Sequence, residues 1–181
     1  MAAQLPVFSP VAFPPLVLGP ADPGWPLGVY AQQAVLRYFR EALEQRPVVW
    51  ENTDLEGVHE IRVAARRCRT ALQTFAQLWE PKRVRFYERY LEKFATAFGV
   101  ARDLDVMIIY LREQLAQADG ERAAALSWLL ARNEQARSEE QPRLERILLK
   151  MERDRLPQQF AAFFACSPLN LWALGVPDGQ G

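Results

Sequence analysis

One histidine and three arginines stand at intervals that a helix would turn to one side: His59, Arg62, Arg66 and Arg69. At about 100° per residue they fall within an arc of roughly 80°. Val58, Ile61, Ala65, Cys68, Leu72, Phe75 and Trp79 cluster on the other side, so the segment is amphipathic with a polar face of cations. An ordinary solvated face mixes Glu with Arg at i+4 spacing; here no acid interrupts the row. Four positive groups in line repel one another, and an anion laid across them would offset that cost. Phosphate suits the row. Arg presents a planar fork that matches two phosphate oxygens, and His adds an imidazole that can carry charge near neutral pH. Arg62 and Arg66 are about 6 Å apart along a helix axis, an interval at which successive phosphates of an extended chain can be met.

Two further rows follow. Lys82, Arg85, Arg89 and Lys93 share an arc of about 80°, with Val84, Tyr87, Leu91, Phe94 and Phe98 turned away. Arg143, Arg146, Lys150 and Arg153 line one side of a later segment, the weakest row because Glu145 and Glu152 lie close by. Lys plus Arg equals Asp plus Glu, 22 each, so attraction to a polyanion has to come from the distribution of charge. That distribution is uneven: from His59 to Lys93, Arg62, Arg66, Arg67, Arg69, Lys82, Arg83, Arg85, Arg89 and Lys93 face only Glu60, Glu80, Glu88 and Glu92. Three rows in one small chain favour a polyanion site over three solvated faces, with binding that falls steeply as salt is added.

Other chemistries fit less well. His59-Glu60 resembles the start of a His-Glu-x-x-His motif, but Val63 stands at the second ligand position and no other histidine exists, so no metal site is expected. A phosphotransferase or polyphosphatase needs a nucleophile or a metal-held water. No P-loop is present, and Asp103 with Asp105 is the one carboxylate pair near a basic face, a weak Mg²⁺ candidate. Single-strand nucleic-acid binders interleave aromatics with cations, whereas here only Phe86 and Tyr90 flank a row. Docking of an acidic protein segment is a further alternative. The expectation is a binding module with no cofactor and no turnover.

The elements that would position these rows are helical. A chain of 181 residues, half of them hydrophobic and a quarter charged, suits one domain with a sizeable core. Residues 1–26 carry seven prolines and apolar side chains between them, which predicts an extended strap along the domain or a partner. Helices are expected over Leu27–Arg46, ending before Pro47, and from an N-cap at Thr53 or Asp54 to about Glu80. The next runs from Pro81 to Ala118 with a kink or break at Gly99, and the last from Asp119-Gly120 to about Arg155, bent at Pro142. A short apolar segment, Phe160 to Ala165, closes the domain, followed by an irregular tail over 166–181. The expected fold class is all-α, an up-down four-helix bundle with long helices. Cys68 and Cys166 lie far apart and read as reduced thiols. No apolar run is long enough to span a membrane and no signal peptide is evident, so a cytoplasmic location is expected.

The segment Val58 to Arg69, read V-H-x-hydrophobic-R-V-x-x-R-R-x-R, resembles the signature of the CHAD family, the conserved histidine α-helical domain. Gly99 to Val106 is similar to the family's second block, G-x-x-R-D-L-D-V. The resemblance covers roughly residues 27–165. It implies a helical bundle that binds inorganic polyphosphate on a basic surface, with frequent association with polyphosphate granules. His59, Arg62, Arg66 and Arg69 match the first motif, Arg102 and Asp103 the second, with Asp103 expected to support an arginine from behind; the 82–93 cations rest on periodicity alone. A typical CHAD domain has two related bundles sharing a groove, and this chain has room for one. A homodimer that rebuilds the pair is therefore expected.

Overall fold

The structure, a computed structural model, describes residues 8–16 and 26–166. It is all-helical over the described residues, with no strand, but it divides the chain more finely than the four expected helices. The elements are α1 (Leu27–Glu44), α2 (Arg46–Glu51), α3 (Glu56–Thr74), α4 (Pro81–Ala97), α5 (Gly99–Leu115), α6 (Gly120–Arg153) and α7 (Leu156–Cys166), with a 3₁₀ turn at Ala76–Leu78.

Each added boundary has a local cause. Pro47 does not end a helix; it sits in the first turn of α2, where its missing N–H costs nothing. Asn52 ends α2 in the left-handed conformation, and Asp54 Oδ1 accepts the backbone N–H of Glu56 at 2.8 Å, the oxygen expected at the head of α3. Gly57 follows because a Cβ there would stand 2.7 Å from Val48 Cγ1, so α3 can approach α2 only without a side chain at this point. α3 stops at Thr74, short of Glu80, and the 3₁₀ turn carries the chain to Pro81. The long third helix expected over 81–118 breaks at Phe98 into α4 and α5. α6 continues through Pro142, which lies on its exposed side, and α7 begins four residues ahead of the expected Phe160.

The core lies between α1, α3, α4, the C-terminal part of α6 and α7. Its largest side chains are aromatic: Trp79, Tyr87, Phe98, Phe160 and Phe164 are fully buried. Phe39 stacks on Phe160 with ring centroids 3.8 Å apart, and Tyr87 meets Phe160 edge-on at 4.9 Å. Burial pushes the hydroxyl of Tyr87 and the thiol of Cys68 above their ordinary ranges, so both stay neutral.

Part of the expected strap is described. Phe8, Val11, Phe13 and Leu16 pack against the core without helix or strand, while residues 1–7 and 17–25 lie outside the described residues. The strap is clasped by a buried ion pair between Arg46 and Glu152. The backbone N–H of Ser9 donates to Glu152 Oε2 at 3.1 Å, and the Arg46 guanidinium lies 4.7 Å from the Phe8 ring centre. Of the irregular tail expected over 166–181, Cys166 belongs to α7 instead, and residues 167–181 lie outside the described residues.

Candidate anion-binding groove

α3 and the C-terminal half of α4 diverge enough to leave a groove of about 300 Å³, closed at one end by α5. His59, Arg62, Arg66 and Arg69 line its α3 wall, Arg102 its α5 end, and Leu91, Glu92, Ala95 and Thr96 its α4 wall. Four guanidinium groups and an imidazole thus face one concavity. The same α3 turns bury Val58, Ile61, Ala65, Cys68 and Leu72 in the core, which holds the basic row on the opposite flank.

The cations are not equivalent. Arg62 Nη1 donates to the Ala95 carbonyl at 2.6 Å, one of the last-turn carbonyls of α4 that has no partner within its own helix. The negative end of the α4 dipole favours a cation there. Behind Arg62 stands Gly99, where a Cβ would come within 3.2 Å of Arg62 Nη1. Arg62 is therefore held in place, with its other nitrogens free to face the groove. Arg69 meets Glu92 at 3.3 Å, and Arg102 meets Glu56 at 3.1 Å; both acids are about half exposed. Arg66 is exposed and makes no ion pair among the described residues.

The self-repulsion of the row is therefore partly offset by Glu92 of α4, which periodicity along α3 alone does not reveal. Glu56, His59 and Glu60 also bring their ligating atoms within 4.8 Å of one another at the start of α3. Glu56 is engaged by Arg102.

Lys82, Arg85, Arg89 and Lys93 are exposed on α4 but do not line the groove. α3 stands on the side of α4 that carries Glu92 and Ala95; Gln73 of α3 donates to Glu88 on that same side. Roughly 100° of helix rotation separates this side from the centre of the Lys/Arg row. The row on α6 is also elsewhere: Arg143 pairs with Glu140 and Arg153 with Asp154. The structure gathers one row and Arg102, and leaves the other two outside the groove.

Asp103 differs from its expected place behind an arginine. It is exposed and pairs with none among the described residues. The acid that does so is Asp105, fully buried, whose Oδ1 accepts Arg137 Nε at 2.7 Å. Arg137 also donates to Asn52 Oδ1 at 2.9 Å and to Gln141 Oε1 at 3.0 Å, and Gln141 donates to the Val49 carbonyl at 2.8 Å. This buried network ties α2, α5 and α6 together around the left-handed Asn52. Burial holds the Asp105 carboxyl above the ordinary carboxylate range, against the opposing pull of Arg137. Asp103 and Asp105 thus point to different environments and do not form a carboxylate pair. Arg137 could be found in the sequence only as an unremarkable surface cation, because nothing near it marks a buried partner.

No helix of the described residues is long and apolar enough to cross a membrane. A family model, described as the CHAD domain, matches residues 33–177. No curated protein and no solved structure matches the chain.

Proposed function

Because the chain belongs to the CHAD domain family, we propose that its α3–α4 groove binds inorganic polyphosphate without turning it over. CHAD domains are associated with polyphosphate-related proteins. The observation that carries the reading is the convergence of His59, Arg62, Arg66, Arg69 and Arg102 on one groove, most of whose wall is otherwise uncharged. An extended phosphate chain lying along α3 meets a fork at each turn. Arg66 is the freest contact and Arg62 the most rigid. The Lys82–Lys93 row, exposed on the far flank of α4, extends the positive surface for longer chains.

Non-catalytic binding is favoured over phosphate transfer because the groove is lined mainly by cations, with His59 the one base on its wall outside an ion pair among the described residues. The carboxylates at its edge, Glu56 and Glu92, are already engaged by arginines. A cytoplasmic protein held at polyphosphate granules follows from this reading. The test is polyphosphate affinity across a salt series, where the logarithm of affinity should fall linearly with the logarithm of salt as counterions are released. Binding that is insensitive to salt, or RNA displacing polyphosphate at matched salt, would overturn the reading. So would phosphate release proportional to protein when polyphosphate and Mg²⁺ are added.

A further inference from the structure

α5 and the first half of α6 form a hairpin that stands away from the core. No residue of α6 before Arg137 is buried, and α5 packs chiefly against α6. Of eleven large hydrophobic side chains exposed among the described residues, six lie on this hairpin: Val100, Val106, Met107, Tyr110, Trp128 and Leu129. Tyr110 is 53 % exposed. Such a concentration of exposed apolar side chains on one hairpin points to an interaction site.

The pattern on α5 says what kind of partner fits. Its inner side is Ala101, Asp105, Ile108 and Leu111. On a neighbouring flank Val100, Asp103, Met107, Tyr110 and Gln114 recur at alternating spacings of three and four, all exposed but the half-buried Gln114, which accepts from Arg122 of α6. That is the seam by which one helix packs along another. The seam carries one acid, Asp103, with no hydrogen bond or ion pair among the described residues, and one phenol, Tyr110, in the same condition.

We propose that a second copy of this chain docks here, α5 against α5, antiparallel about a two-fold axis beside Met107. In that register the two methionines meet at the axis. Tyr110 of each copy falls opposite the partner's Asp103, whose carboxylate accepts the phenol O–H. The face is complementary to itself, as a two-fold interface requires, and a different helix would have to supply both the donor and the acceptor at matching positions. Arg102, next in sequence to Asp103 and about 100° further round α5, lines the groove. The two Arg102 residues then stand about 14 Å apart along the α5 axis, nine residues at the helical rise. Both grooves open beside the interface, where one long anion can engage both. This last consequence rests on the polyphosphate reading; the dimer does not.

The experiment is sedimentation velocity on the full chain at micromolar concentration. The expected mass is twice 20.7 kDa. Met107→Glu places like charges against each other at the axis and should raise the dissociation constant about a hundredfold or more, with helix content unchanged by circular dichroism. Met107→Cys should form a disulfide-linked dimer under mild oxidation that the parent chain does not form. A monomeric parent chain overturns the proposal, as does a dimer that Met107→Glu leaves intact and Met107→Cys fails to cross-link. A parent chain that is monomeric yet binds short-chain polyphosphate counts against this interface alone. An intact dimer that binds no polyphosphate counts against the groove alone.

Discussion

Removing an acid from the groove rim should strengthen binding. Glu92 lies 3.3 Å from Arg69, and the two side chains are 54 % and 36 % exposed. A pair this exposed adds little to stability, so Glu92→Gln should leave the fold unchanged. Its effect on an incoming anion is larger. A unit negative charge about 5 Å from a phosphate held by Arg69 costs about 0.8 kcal/mol at the dielectric of water, the limit suited to such exposure. Glu92→Gln should therefore lower the dissociation constant for short polyphosphate about fourfold at low salt. The gain should shrink as salt rises, because the screening length falls from about 10 Å at 0.1 M to about 3 Å at 1 M. Titration calorimetry at two salt concentrations reads both effects, with Glu121→Gln, at the far end of α6, as a control that should change nothing. An unchanged or weaker affinity for Glu92→Gln at low salt, with helix content preserved, would place the anion away from the groove.

Three further outcomes follow from the same geometry. Arg66→Ala should weaken short-chain binding and reduce the steepness of the salt dependence by about one, while Arg89→Ala, outside the groove, should do neither; equal effects in the salt titrations would mean that the α4 row is the site. Asp105→Asn should cost about 3–5 kcal/mol in urea unfolding by leaving Arg137 buried without its counter-charge, and replacing both residues with Leu should recover most of that. Gly99→Ala should change stability by less than about 1 kcal/mol yet weaken polyphosphate binding, since the added methyl meets Arg62 Nη1 at 3.2 Å and that guanidinium must give way; unchanged affinity in the same titration would mean that Arg62 is not held where it acts.

The helical class, the α3 row and the break at Gly99 are legible in the sequence because each depends on residues close in the chain. Periodicity places His59, Arg62, Arg66 and Arg69 on one flank whatever α3 packs against. It cannot say which flank of α4 meets α3, and that choice turned Lys82, Arg85, Arg89 and Lys93 outward and brought Glu92 in. Pro47 illustrates the same limit at short range. A proline is equally compatible with the end of one helix and the first turn of the next, and here Gln45 divides the two. The exchange of Asp103 for Asp105 has a longer reach: Arg137, which selects between them, lies 32 residues away.

The clasp on the N-terminal segment bears on how the chain can be trimmed. Glu152 answers both to Arg46 and to the Ser9 amide, and Phe8 covers the guanidinium while meeting Trp50 edge-on at 6.3 Å. A shortened chain beginning at residue 17 would admit water to a salt bridge that is otherwise nearly dry. It would also bare the aromatic and aliphatic surface under Val11, Phe13 and Leu16. Residues 8–16 are thus a further wall of the domain despite having neither helix nor strand, and their removal should show as aggregation before any loss of helix.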